Sequence, residues 1–463
     1  MSEGRYSSET ERRRFRPYPK YKDSGVEWLG EIPEHWKVYP FKRLFSTIYR
    51  YPTYFGIEYA NDGVKEIRGE AIGTDGRIIV LEDQRFIPKE LSDKFYRTIL
   101  EEGDLVMSVR GTMGKIAYVD CRFAGANITA NLLRLSPRPD LVNGQYLVKV
   151  IGSTYFDRQL DRQAPQTTIK TITMPQLAVI PIALPPKAEQ LLTSSFLDHE
   201  TAKIDALIAK KERLIELLQE KRTALITQAV TKGLDPNVPM KDSGVEWLGK
   251  IPAHWECLTL SRVSLARCDG PFGSGLKSEH YSVSGVRVVR LQNIGSAEFC
   301  DTDRAYINEE YGSQLGDHSV LPGDLLIAGL GDDAHPVGRA CVAPEYIVPA
   351  MVKADCFRFR LEVRLLIARF AAYQLSATAA ASAGALSTGA TRSRLNLAAM
   401  ATRKVALPPL REQAAIVSVL DRGCDENYAL IAKIREAIER LKEYRTALIS
   451  AAVTGKIDVR QKD

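Results

Sequence analysis

Ten side chains on polar, loop-like stretches have the chemistry to read the edge of a nucleic-acid base. In the first half they are Arg68, Arg110, Lys115 and, within QAPQTTIKT, Gln166 and Lys170. In the second half they are Arg290, Gln292, Asn293, Arg392 and Arg394, the last two within STGATRSRLN. A guanidinium or ammonium donates to O6 and N7 of guanine, and a side-chain amide matches N6 and N7 of adenine. Arg68 and Arg290 follow similar short segments in the two halves. Such matching suits a structural or phosphate-binding role better than the choice of a particular base.

Reactions are harder to find. GTMGK at 111–115 is not a phosphate-binding loop, because residue 109 is Val and Ile follows the Lys. GLGDD at 329–333 lacks the glycine spacing of a dinucleotide site. The chain has no H-E-x-x-H, no G-x-S-x-G and no paired Cys/His cluster. It also has no Asn/Asp-Pro-Pro-Tyr/Phe segment of the kind that holds a flipped base. Leu-Pro-Pro at 184–186 and 407–409 lacks the amide or carboxylate such a segment needs. The balance favours binding over catalysis.

What must position these side chains is written in a duplication. KDSGVEWLGEIPEHW at 22–36 and KDSGVEWLGKIPAHW at 241–255 agree at thirteen of fifteen positions. LPPKAEQ at 184–190 is followed 223 residues later by LPPLREQ at 407–413. The copies share RTALI at 222–226 and 445–449, and AVT at 229–231 and 452–454. Between the repeats lie two dissimilar segments, 37–183 and 256–406, each with a GDL, at 103–105 and 323–325. A repeated frame around unlike contents is one scaffold presenting two different surfaces. All four Trp residues sit in the short repeat, as do His35 and His254. Residues so closely matched cannot distinguish two surfaces, so they are read as anchors that dock each copy onto a helix end.

From Lys187 to Val230 no Gly or Pro interrupts, and Leu197, Ile204, Leu207, Leu214, Leu218 and Leu225 recur at roughly heptad spacing. A second helix over about 409–453 places Leu420, Asn427, Leu430, Ile434, Ala437, Leu441, Tyr444 and Leu448 at the matching positions. Each helix is roughly 66 Å long at about 1.5 Å per residue. The linker TKGLDPNVPM spans at most roughly 33 Å. The second globular segment must then start near the far end of the first helix, and the second helix runs back. The spacing predicts an antiparallel pair with pseudo-twofold symmetry.

The globular segments read as mixed. Strands are expected near 76–81, 104–109, 115–120 and 131–136, with a helix near 143–162. The second set is expected near 285–291, 324–329, 338–343 and 355–361, with a helix near 363–382. The fold class is therefore α+β, two globular domains of short strands and helices joined by two long antiparallel helices. The expected boundaries are a polar mobile tail over 1–18, a first domain over 19–183 and a first long helix over 184–232. Linker, second Trp motif and second domain follow over 233–406, then the second helix and a tail over 407–463.

The 463 residues are 45% hydrophobic and 26% charged, with net charge +6, an ordinary soluble balance. No apolar run reaches the roughly 18 residues of a membrane span, and MSEGRYSSETERRRFRPYPK, with no apolar core, is expected to be a polar tail and not a secretory signal. Seven scattered Cys without C-x-x-C suit reduced thiols in the cytoplasm. Segment 37–183 has 20 Lys/Arg against 16 Asp/Glu, and 256–406 has 16 against 15. That margin is too small for tight binding through phosphate charge alone.

The duplicated WLGEIPEHW/WLGKIPAHW motifs, the duplicated LPP-x-x-EQ segments entering long helices and the two GDL-containing domains resemble the specificity subunit of type I restriction–modification systems. The resemblance covers about residues 19–458. It implies a non-catalytic DNA-recognition subunit whose two target recognition domains each read one half of a bipartite, asymmetric site. It implies double-stranded DNA, two copies of a DNA methyltransferase subunit and a restriction motor-nuclease subunit as partners. S-adenosylmethionine, ATP and Mg²⁺ belong to those partners, so no cofactor is expected on this chain. One departure is GLGDDAHPVGR in the second domain where the first has VRGTMGK, which puts a shared role for this loop in doubt.

Overall fold

The computed structural model describes residues 15–50, 59–110, 112–163, 171–272, 275–386 and 393–460. The chain divides into two units, Met1–Lys211 with Glu436–Asp463, and Glu212–Arg435. Two long helices, Lys187–Lys232 and Leu410–Val453, each contribute residues to both. Among the described residues no helix is long and apolar enough to cross a membrane.

The repeated sequences build the same frame in each unit. In the first, Tyr21–Asp23 and Glu31–Pro33 form a small antiparallel ladder across the Trp motif. Lys37–Pro40 then pairs antiparallel with Pro181–Leu184, the strand that enters Leu-Pro-Pro. In the second, Met240–Asp242 pairs with Lys250–Pro252, and Glu256–Thr259 with Lys404–Leu407. The seven residues between the strands of the first pairing, SGVEWLG in both copies, close that ladder, with the Ser24 N–H donating to Gly30 O and the Ser243 N–H to Gly249 O, both 3.1 Å. Proline just past the strand ends the second, because Pro has no N–H to extend a ladder.

Within each frame sits a four-stranded antiparallel sheet. Its order is 45–50, 132–137, 105–108, 116–118 in the first unit. The second unit repeats it as 264–268, 356–361, 325–328, 340–342. The inner strands LVMS and LLIA are buried along their whole length, because both faces are covered. Phe41, Leu105, Leu133, Tyr146 and Phe156 fill one core, and Val263, Leu325, Phe357, Phe370 and Ile416 the other. Beside each lies another sheet, three-stranded in the first unit and five-stranded in the second, with one parallel pairing. Val64–Ile67 runs parallel to Asn127–Ile128, and Val286–Val289 parallel to Ala350–Val352.

Several expectations need adjusting. The segment near 76–81 contributes two isolated bridges and no strand, Ile78 to Ile72 and Arg77 to Tyr118, because Gly73 and Gly76 turn the chain there. The outer strands 45–50 and 264–268 alternate weakly in sequence and were not expected. The helix expected at 143–162 is two, Gly144–Ile151 and Thr154–Gln163, interrupted at Gly152. The one expected at 363–382 is likewise Ala368–Ala377 and Ala379–Leu386.

The long helices pair antiparallel inside each unit. In the first, Arg445 bonds Asp205 at 2.9 Å, and the second helix ends at Gly455 near the anchor that holds Glu189. In the second, Asn427 Nδ2 donates to Leu218 O at 3.2 Å, and the first helix ends at Gly233 beside Glu412. The expected stripe is only half right. Leu197, Ile204, Leu420, Ile434 and Leu448 are buried, but Leu207, Leu214, Leu225 and Leu430 are exposed. Ile431 and Ile438 take the seam instead of Leu430 and Ala437. A straight helix drifts about 20° per heptad from a strict 3.5 repeat, so the buried column steps one residue along.

Candidate nucleic-acid interface

The repeated Glu-Gln pair at each helix start explains how the frame is held. Glu189 Oε1 accepts the Trp36 indole N–H at 2.8 Å and the Tyr18 hydroxyl at 2.5 Å. Its Oε2 lies 2.8 Å from His35 Nε2. Gln190 accepts the Asn143 N–H at 2.8 Å and donates to Leu141 O and Pro185 O. The second unit repeats this with new numbers. Glu412 takes Trp255 at 3.1 Å and His254 at 2.8 Å. Gln413 accepts the Ile367 N–H at 2.8 Å and donates to Leu365 O and Pro408 O. Trp36 and Trp255 are fully buried. The anchor reading of these Trp and His residues therefore holds.

Each anchor also receives the end of the other long helix. At Gly233 (φ +79°) a Cβ would lie 3.4 Å from the Trp255 ring and 3.2 Å from Glu412 Oε1. At Gly455 (φ +73°) it would lie 2.4 Å from Pro33. Glycine is needed at both, for the left-handed turn and for the close approach.

On the first unit the frame presents a cleft of about 490 Å³. Arg68, Arg110 and Lys115 all line it, joined by Tyr59, Arg85 and Asn131. Four cations face one lining carboxylate, Glu70. Arg68 follows the strand Val64–Ile67 and its Nη2 contacts Asp83 Oδ1 at 2.6 Å. That ion pair raises the Arg68 guanidinium above its usual range and lowers Asp83. Arg110 is exposed and Lys115 half-buried, on either side of the loop after strand Leu105–Ser108. The Arg85 guanidinium lies 5.0 Å from the Tyr59 ring centre, a cation–π contact.

The second unit presents other groups. Arg290 is ion-paired with Asp303, as Arg68 is with Asp83. Gln292 is exposed. Asn293 is fully buried: its amide donates to Cys300 O at 2.9 Å and Asp303 O at 2.8 Å, and its oxygen accepts the Arg290 N–H at 2.9 Å. Its polar atoms hold the turn and do not face solvent. Arg394 is 58% exposed, bonds Asp355 at 3.0 Å and lies 5.8 Å from the centre of the Phe272 ring. Gln166, Lys170 and Arg392 lie outside the described residues.

The loop whose shared role was in doubt has the same backbone partner in both units. Arg110 bridges antiparallel to Thr171. Leu330 and Gly331 pair antiparallel with Arg394 and Ser393. Each ties the loop after the central strand to the segment before Leu-Pro-Pro. Side chains differ where the backbone agrees. Tyr59, Arg85 and Phe272 were missed from sequence. Their signal is a difference between the halves at matched strand positions, visible only once strand register is known.

The family model for the type I restriction modification DNA specificity domain matches residues 33–217 and 315–440. The StySPI specificity subunit of a type I restriction enzyme from Salmonella potsdam is 23% identical over 447 residues, covering 92% of this chain and 90% of the relative. A chain solved in work on complex assembly and conformational transition of a type I R-M system aligns with TM-score 0.62 at 17% identity. That alignment covers 91% of this chain and 98% of the other. The HsdS subunit from Thermoanaerobacter tengcongensis aligns with TM-score 0.52 at 16% identity, covering 92% and 98%. At these identities the two structures speak to fold alone.

Proposed function

The chain belongs to the type I restriction modification DNA specificity family, and we propose that it reads a bipartite, asymmetric DNA site with one recognition domain per half-site. It directs methyltransferase and restriction subunits to that site and carries out no chemistry itself. The observation that carries this reading is the identical Glu-Gln-Trp-His anchoring of two domains whose outward side chains differ. An asymmetric site needs unlike readers on a like frame.

The first reader is the cleft with Arg110 and Lys115, and the second is the surface around Gln292, Arg394 and Phe272. Arg68 and Arg290, each bound to an Asp at a matched place, serve the frame or a phosphate. Leu207, Leu214, Leu225 and Leu430 leave apolar surface exposed along the long helices, which suits docking of two methyltransferase subunits. Those subunits and the motor-nuclease complete the phosphate clamp that the modest domain charge leaves unfilled. The setting is the cytoplasm, where the DNA and the partner subunits are.

The test is base-resolution mapping of methylated DNA in cells carrying this chain with its neighbouring methyltransferase, against cells lacking the chain. A bipartite motif that disappears with the chain is the expected result. An unchanged methylation pattern, with the methyltransferase shown to be active, refutes the reading.

A further inference from the structure

Backbone pairing puts the two divergent domains in register where their sequences do not align. Val64 pairs with Ile87 and Lys65 with Phe86. Val286 pairs with Ile307 and Arg287 with Tyr306. The next N–H on each strand makes the same bond, Glu66 to Arg85 O and Val288 to Ala305 O, both 2.9 Å. Glu66 faces Asn127 across the parallel pair, and Val288 faces Met351. On the hairpin, Ala60 bridges Phe86 and Ser282 pairs with Tyr306, which matches Tyr59 to Tyr281. The first domain thus holds Tyr59, Glu66 and Arg85 where the second holds Tyr281, Val288 and Ala305.

The second domain shows what the scaffold needs there. Val288, Ile307, Met351 and Leu276 form a buried apolar cluster with Tyr281 and Ala305 packed on it. In the first domain the same place holds a carboxylate only 3% exposed. Glu66 accepts a hydrogen bond from Tyr59, with Arg85 and Arg68 near enough to favour its charge. Even so, burial pushes its carboxyl above the ordinary range, and Glu66 Oε2 is buried without a hydrogen-bond partner. In the second domain the Tyr281 hydroxyl is the atom buried without a partner, since Val288 offers it no oxygen. A buried, incompletely satisfied carboxylate is costly, and the fold is made elsewhere in this chain with Val. Tyr59, Arg85 and Arg68, the side chains that favour the Glu66 charge, all line the basic cleft.

We infer that Glu66 is a positioning residue of the first DNA reader. It holds the Tyr59 hydroxyl, and through the Tyr59 ring it sets Arg85 at the mouth of the cleft beside Arg110 and Lys115. Tyr59 and Arg85 thereby join the residues that select the first half-site. This rests on the proposal that the cleft reads duplex DNA.

The experiment uses the full chain assembled with its methyltransferase subunits. Binding is measured to duplexes carrying the mapped methylated motif, and to duplexes with single base changes in one half-site or the other. Glu66→Val installs the residue of the second domain, Tyr59→Phe removes only the hydroxyl, and Glu66→Gln keeps an oxygen for Tyr59. Glu66→Val and Tyr59→Phe are each expected to cut preference for the correct first half-site roughly tenfold, the scale of one good base contact. Second half-site preference stays as in the wild type, and Glu66→Gln restores most of the first. Unchanged first half-site preference in Tyr59→Phe overturns the inference, and so does its loss at both half-sites. Should Glu66→Val fail to assemble, Glu66 belongs to the fold and the positioning role is wrong. A wild-type complex indifferent to changes in the first half-site instead removes the DNA-reading premise itself.

Discussion

The indole N–H of Trp36 donates to Glu189 Oε1 at 2.8 Å, joining the short Trp repeat to the first residues of a long helix. The matched bond from Trp255 to Glu412 measures 3.1 Å. Both partners are repeated in the sequence because they touch each other, so duplicating one required duplicating the other.

Removing this carboxylate leaves buried donors without an acceptor. Glu189→Ala strands the Trp36 N–H and the Tyr18 hydroxyl, and is expected to cost about 2–4 kcal/mol of stability. Glu412→Ala is expected to cost less, because the Glu412 side chain is 28% exposed against 5% for Glu189. Chemical denaturation of the two variants gives the ranking, and the reverse order contradicts the account.

Asn427 stands where the other helix has Ile204, and its Oδ1 is buried without a partner. Asn427→Ile is expected to stabilise the second unit by about 1–2 kcal/mol by removing that unmet acceptor. Loss of stability in the variant means the Leu218 carbonyl contact outweighs the unmet one.

Burial pushes the Asp269 carboxyl up to about 6, with Asp355 adding to the effect and the Gly270 N–H and Arg394 opposing it. A raised acid destabilises the fold while ionised, which is the case above about pH 6. As pH falls through that value the folded state takes up a proton that the unfolded chain still refuses, so stability rises. Below the ordinary carboxylate range both states are protonated and this contribution levels off. Asp269→Asn is expected to raise the melting temperature at pH 7 and to flatten its dependence between about pH 4 and 6. An unchanged profile rules the group out as its source.

Arg110→Ala and Lys115→Ala test the first reader directly. A base-reading side chain lowers selectivity at one position of the first half-site, whereas a phosphate contact weakens all sequences alike and reduces the salt slope by about 1. Either variant is expected to leave the second half-site untouched. Altered selectivity at both half-sites breaks the assignment of one domain to each.

Matched insertions in the two long helices probe the frame. Lengthening both is expected to change the spacer between half-sites and not the half-sites themselves. A spacer that stays constant refutes the helices as its ruler.

Much of this was legible in the residues. Trp36, Glu189, Gln190 and their counterparts appear twice because each completes the other, and no other part of the chain matches so closely. The stripe on the long helices was read less well. Leu430 and Ile431 are adjacent and both apolar, and only the course of the partner helix decides that Ile431 is buried. Among the expected base readers, Asn293 has the right side chain but spends its hydrogen bonds on its own turn.

The sequence by itself determined the duplication, the anchors, the two long helices and the unlikeness of the two domains between them. These are local or repeated features, carried by residue type and spacing along the chain. Only the tertiary structure decided which side chains share a surface. Tyr59, Arg68, Arg85, Arg110 and Lys115 come from separate strands and turns, and strand pairing alone brings them to one cleft. The match of Glu66 to Val288 was equally hidden, because it is set by backbone hydrogen bonds that any side chain can make. Register, unlike composition, is a property of two strands together.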